Sequence, residues 1–214
     1  MEVPRTRLMP GPGAIGGVLL FLGLSSFGDT PDTRDTTTQV AQYFTTNRAS
    51  VFVGCVLFGL GLLCLLAVSG RIGTLLDAAG QASIGRLVQS AGTVAVTLFF
   101  AAMLLVYASL SYVIGTEVPD MAKGFFELTL LTTPILALPL AALVGGTAVG
   151  LRRAGLGRLW FLILSAVAVV ALLVAACSYA RSGSFSPDVQ QQVVVLSLIV
   201  WLVASRRGVR RHAR

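Results

Sequence analysis

Apolar positions in this chain come in long runs rather than in alternation. Six stretches dominated by Leu, Val, Ala, Gly and Ile lie near residues 11–28, 50–69, 92–115, 125–150, 158–180 and 189–205, with polar segments at 29–49, 70–91, 116–124, 151–157 and 181–188 between them. Runs of this kind are read as helices that cross a bilayer, which takes about 18–20 apolar residues. The alternating ten-residue segments of an outer-membrane barrel are absent. The pattern predicts an all-α fold, a polytopic integral membrane helical bundle of about six transmembrane helices. It forms one domain over residues 1–205, followed by a basic tail at 206–214.

Composition agrees with the pattern. Of 214 residues, 55% are hydrophobic and only 12% charged, and the mean hydropathy is +0.84. A soluble domain carries about 25% charged residues, so a surface this poor in charge would not keep the chain in water. The formal net charge is +7, and its distribution sets an orientation. The N-terminus, the second and fourth polar segments and the C-terminus, with the span ends beside them, hold twelve Arg against Glu2 and Asp77, a balance of +10. The other side holds Arg34, Arg48, Lys123 and Arg181 against seven acids, a balance of −3. Basic loops stay in the cytoplasm. Both termini are therefore expected there, in a cell membrane, and the Arg clusters are expected to meet anionic lipid headgroups rather than nucleic acid, because they are split among short loops.

The first external segment, "GDTPDTRDTTTQVAQYFTTNR" (28–48), is not formless. Thr36 and Gln39 stand at capping-box spacing. Val40, Tyr43 and Phe44 follow at i, i+3 and i+4, which predicts a short helix with one apolar face, lying on the outer membrane surface or running into the second span. Arg5 and Arg7 ahead of Gly13–Leu24 also resemble the start of a cleavable signal peptide. Ser26 and Gly28 make a weak cleavage pattern, and the segment is read as a retained first span. Near the other end, Ser186 and Pro187 offer an N-cap and first helical residue.

Within the spans the sequence speaks mainly of packing. Ala142, Gly146 and Gly150 repeat every four residues, as do Gly13 and Gly17, a spacing that lets helix backbones approach closely. This is expected to serve contacts within one chain rather than dimerisation. Pro134 and Pro139 predict a kink or opened turn in the fourth span. Trp160 and Trp201 are expected at the inner interface, and Tyr43, Tyr112 and Tyr179 at the outer one.

Candidate chemistry is sparse. The only His is His212 and the only Lys is Lys123, both outside the spans, so no span offers paired haem histidines, a His-based metal site or a retinal lysine. Cys55 and Cys64 lie on opposite sides of one helix. Cys55 and Cys177 could meet near the outer ends of their spans, although inert buried thiols are the simpler reading. Asp29, Asp32 and Asp35 lack the spacing of a calcium loop. No phosphate-binding loop, metalloprotease pair or nucleophile elbow is found, and no metal or cofactor is expected. Glu127 stands out, because it opens a long apolar run at the outer interface, where an ionisable group seeks a partner or a wet cavity. Tyr107 and Tyr112 with Ser109 and Ser111 on span three, and Gln190, Gln191 and Gln192 on span six, could complete an outward-facing pocket. The alternative is a glutamate that simply faces water.

The order of a short apolar span, the block "GDTPDTRDTTTQVAQYFTTNRASVFVGCVLFGLGLL", then "GRIGTLLDAAG" and "MAKGFFELTLLTTPILALPLAALVGGTAVGLRRAGLGRLWFLILS" resembles uncharacterised multi-pass membrane proteins common in actinobacteria. The likeness is one of layout and covers most of residues 12–180. It implies about six helices and a cell-membrane location, and carries no catalytic residue. A bundle that binds an apolar small molecule or a protein partner is the expected function. A membrane-embedded cyclase or isomerase would need a protonating carboxylate inside the bundle, and only Glu127 comes near. A transporter or permease component would be expected to show an internal repeat of about 107 residues, half the chain, and none is evident.

Overall fold

Helices follow the apolar runs, with boundaries that the runs alone do not reveal. The computed structural model describes residues 11–31, 34–111, 119–177 and 187–209. In chain order these form α1 (Pro12–Ser26), α2 (Thr37–Thr46), α3 (Arg48–Ala78), α4 (Ala82–Phe99), a π-helical turn (Phe100–Leu104), α5 (Leu105–Ser109), α6 (Pro119–Leu131), α7 (Thr133–Arg153), α8 (Leu159–Ala176) and α9 (Pro187–Gly208). Among the described residues the one extended pairing is an isolated bridge between Gly157 and Val209.

Among the described residues four helical stretches are long and apolar enough to cross a membrane: Arg48–Ala78, Ala82–Ser109, Met121–Arg153 and Leu159–Ala176. Pro12–Ser26 and Val189–Ser205 are apolar but shorter. The outward faces are apolar as well, and Ile163, Val167 and Val170 on α8 stay more than half exposed. Such a surface suits lipid and not water. The chain is an apolar helical bundle compatible with a membrane protein.

The polar segment expected at 70–91 is nearly all helix. α3 continues to Ala78 and α4 begins at Ala82. The buried positions Ile72, Gly73 and Leu76, then Gly85 and Val88, keep the helical period through the polar composition, while Arg71, Asp77 and Arg86 occupy the exposed faces. The turn itself is short because Gly80 takes φ +74° and the Gln81 N–H reaches back to the Leu76 carbonyl at 2.8 Å, a glycine-terminated helix end.

The helices close into a ring in which α1 lies between α3 and α9, followed by α4 beside α3, then α7, then α8, which returns to α9. Its tightest seam joins α1 to α3. A Cβ on Gly23 would stand 2.7 Å from the Phe58 amide nitrogen, one on Gly54 3.0 Å from the Gly23 carbonyl, and one on Gly61 3.0 Å from the Leu20 nitrogen. The expected four-residue stripes also pack inside the chain: Gly13 and Gly17 against α9, Gly146 and Gly150 against side chains of α3 and α4.

Contacts along the ring gather four chain segments at one end. Gly13 faces Leu202 and Ser205, Gly150 faces Leu76 and Ile84, and the Arg158 N–H donates to the Gly208 carbonyl at 2.9 Å. That end carries Arg71, Arg86, Arg152, Arg153, Arg158 and Arg207. The opposite end is covered by α2, α5 and α6.

Two expectations change here. The break in the fourth span falls at Thr132, between α6 and α7, with Pro134 in the first turn of α7. Thr132 and Thr129 return their hydroxyls to the Thr129 and Phe125 carbonyls at 2.6 and 2.9 Å; Pro139 sits inside a continuous α7. Trp201 is fully buried rather than interfacial, its indole N–H donating to Ser165 Oγ at 3.2 Å, with the ring 6.1 Å from Phe161. Trp160 remains part-exposed. Tyr112, Tyr179 and Ser186 lie outside the described residues.

Candidate functional site

The end away from the arginines is built from α2 inward. The capping box forms: the Thr36 N–H donates to Gln39 Oε1 at 2.7 Å and the Gln39 N–H to Thr36 Oγ1 at 3.4 Å. This satisfies amide donors that would otherwise be orphaned at a helix start. The helix does not present its apolar face to lipid. Val40 and Phe44 are fully buried, and the face turns onto the end of the bundle.

An aromatic cluster lies beneath it. The Phe44 ring meets Tyr107 edge-on at 5.5 Å and Phe126 at 6.1 Å, while Phe27 stands 5.4 Å from Tyr107 and 6.5 Å from Phe58. These separations are typical of attractive ring pairs. The Tyr43 hydroxyl donates to the Phe27 carbonyl at 2.6 Å. Burial pushes the Tyr43 phenol up to about 12, and the nearby Cys55 adds to the rise.

Tyr107 reaches the centre of this end through the π-helical turn. Buried positions on α4 step by three and four through Val88, Ala91, Gly92, Ala95, Val96 and Phe99. Buried positions follow again at Leu104, Tyr107 and Leu110. A π turn holds one extra residue, and such turns are frequent at functional sites.

Tyr107 is only 3% exposed, and Gln191 of α9 stands with it in the wall of the same cavity. This polar pair closes one side of an internal cavity of about 10 Å³ whose other walls are Leu24, Phe27, Phe58, Leu104 and Val195. That is room for about one water-sized sphere. A larger hollow of about 280 Å³ on the outer side of α2, by Gln39, Gln42 and Asn47, is shallow and open.

The expected site residues are thus only partly brought together. Tyr107 and Gln191 meet. Gln192 is exposed on the far side of α9, and Tyr112 lies outside the described residues. Glu127 is not in the cavity wall. Its side chain is 43% exposed and pairs with Lys123 one turn earlier at 3.6 Å, and Lys123 Nζ also donates to the Asp35 carbonyl at 2.9 Å. Cys55 is buried, Cys64 part-buried and Cys177 exposed, all as free thiols. Among the described residues no three metal-ligating side chains gather. The aromatic rings of Phe27, Phe58 and Phe126 around Tyr107 were not singled out in the sequence. Phe44 was legible as part of an apolar helical face, but its neighbours come from four other helices or their ends.

No protein-family model matches this chain, and no curated protein or solved structure matches it significantly.

Proposed function

We propose that this chain is a six-pass protein of the cell membrane that binds a small, mostly apolar molecule at its outer end. α1, α3, the Ala82–Ser109 stretch, the Met121–Arg153 stretch, α8 and α9 are the six spans, and both termini are cytoplasmic. The observation that carries the binding function is the Tyr107–Gln191 pair, two polar side chains in the wall of one small cavity lined otherwise by Leu, Phe and Val. Ligand sites are mostly apolar with a few placed polar groups, and polar groups among transmembrane helices mark functional positions. The ligand chemistry that fits is an uncharged body with one hydroxyl or carbonyl. Among the described residues the chamber wall contains no carboxylate, which disfavours the membrane-enzyme reading. The layout resemblance to actinobacterial multi-pass proteins supports six helices and the cell membrane. The arginine end is assigned to anionic headgroups of the inner leaflet.

Ligand-observed NMR on the detergent-solubilised protein with a panel of phenol, benzyl alcohol and cyclohexanol tests the binding function. At least one probe should show saturation transfer with the parent protein and lose it with Gln191→Leu. A panel silent with the parent, or equally active with Gln191→Leu, overturns the site.

A further inference from the structure

The cavity that holds Tyr107 and Gln191 has room for one water-sized sphere. No ring or chain enters such a space whole, but a single oxygen does. The cavity is not enclosed. Among its described lining residues, Leu24 of α1 and Gln191 of α9 are part-exposed, and the rest are at most 8% exposed. Its mouth therefore lies where α1 meets α9, which are neighbours in the ring.

Glycines close the inner part of that seam. A Cβ on Gly13 would stand 2.7 Å from the Leu202 carbonyl oxygen, and one on Gly17 2.6 Å from Val203 Cγ2. At the level of the cavity the seam carries Leu24 and Val195 instead, and side chains of that size hold backbones apart. Leu24 is in the last turn of α1 and Gln191 in the second turn of α9, so the mouth sits near the outer helix ends. The outward faces of both helices are apolar. Val18, Phe21 and Leu22 on α1 are exposed, as are Leu196, Val200 and Val203 on α9. The Ser25 and Ser26 hydroxyls donate to the Phe21 and Leu22 carbonyls at 2.9 and 2.8 Å. A mouth framed this way meets acyl chains rather than water.

We infer that the site takes the hydroxyl end of a membrane-dissolved long-chain alcohol, which enters sideways from the outer leaflet between α1 and α9. This rests on the binding site proposed above and names the class and source of its ligand. The oxygen fills the water-sized space beside Tyr107 and Gln191, where a phenol and an amide can each donate or accept. The chain stays outside the cavity along the α1–α9 seam and runs toward the bilayer centre, as the tail of an outer-leaflet amphiphile does. Volume selects the head: a hydroxyl fits, whereas a phosphate or carboxylate exceeds the space and would bring charge against apolar walls.

The test uses the full chain in lipid nanodiscs with two photoprobes, hexadecanol carrying a diazirine next to its hydroxyl and the same chain without the hydroxyl. Mass spectrometry reads the labelled residues. The alcohol should label α1 and α9 around Leu24 and Val195, and excess plain hexadecanol should compete. The alkane should spread over the exposed apolar faces, α8 included. Gln191→Leu and Tyr107→Phe should each lower seam labelling by the alcohol about five- to tenfold, the effect of losing one neutral hydrogen bond, and leave the alkane pattern unchanged. Either variant serves if the other fails to fold. Alcohol labelling that follows the alkane pattern, or that survives the substitutions, overturns the inference. The NMR test separates the two failures. Small probes that bind there while the alcohol leaves the seam unlabelled keep the Tyr107–Gln191 site and refute entry from the bilayer. Silence in both experiments removes the site itself.

Discussion

Tyr43 shows how much one side chain can do at this end of the molecule. Its ring sits edge-on to Phe44 at 5.0 Å and its hydroxyl anchors the end of α1 through the Phe27 carbonyl. The phenol is held neutral, its pKa raised from 10.0 to about 12 first by burial and then by Cys55. A raised folded-state pKa gives a contribution that is complete below the unfolded value and disappears as pH climbs to the folded one. Thermal stability in detergent should therefore fall between about pH 10 and pH 12 by a component that Tyr43→Phe lacks. Melting curves of both proteins across that window measure it, and parallel pH profiles would remove Tyr43 as the cause. Glu127 teaches the opposite lesson. Its place at the start of an apolar run made it the leading site candidate in the sequence, yet it pairs with Lys123 at the half-exposed surface. Sequence position reports depth along a helix, not which way the side chain faces.

At the scale of helices, the seam between α1 and α3 carries the packing. Gly16 and Gly23 are seven residues apart, as are Gly54 and Gly61. Seven residues is two helical turns, the repeat that keeps one face on a neighbour along a left-handed crossing. A search for four-residue spacing finds Gly13 with Gly17 and Ala142 with Gly146 and Gly150 but passes over this closer contact. Gly23→Ala would set a methyl 2.7 Å from the Phe58 amide nitrogen, whereas Gly145→Ala would meet only Val169 at an ordinary 3.5 Å. Overpacking costs about 1–3 kcal/mol, while alanine gains up to about 1 kcal/mol over glycine within a helix. Gly23→Ala should lower the unfolding midpoint in detergent and Gly145→Ala should hold or raise it. Equal effects would mean that the α1–α3 seam yields easily.

For the whole molecule, the ring brings the start of α1, the α3–α4 turn, the α7–α8 connection and the end of α9 together. These are the segments that hold the basic residues in the charge count. The geometry gathers these segments at one end of the bundle, and the positive-inside rule expects that end in the cytoplasm. A reporter active only in the cytoplasm should work when fused after Arg153 or Arg214 and be silent when inserted near Arg34. Activity from the Arg34 insertion would reverse the assignment or remove a span.

Class and periodicity were legible in the sequence alone. Apolar runs must become helices wherever backbone polar groups cannot reach water, and the α2 capping box follows from side-chain reach over three residues, so Thr36 and Gln39 announced it. Register and partnership were decided only in the folded chain. The polar residues of 70–91 hid a continuing helix, because Arg71, Asp77 and Arg86 interrupt the composition without interrupting the buried period. The π-helical turn at Phe100–Leu104, just ahead of Tyr107, leaves no mark in the sequence. Trp201 went to the core instead of the interface because Ser165 on α8 could accept its N–H. The meeting of Tyr107 with Gln191, 84 positions apart, depends on how α4, α5 and α9 close the ring, and contact across such a distance is a property of packing that no local pattern encodes.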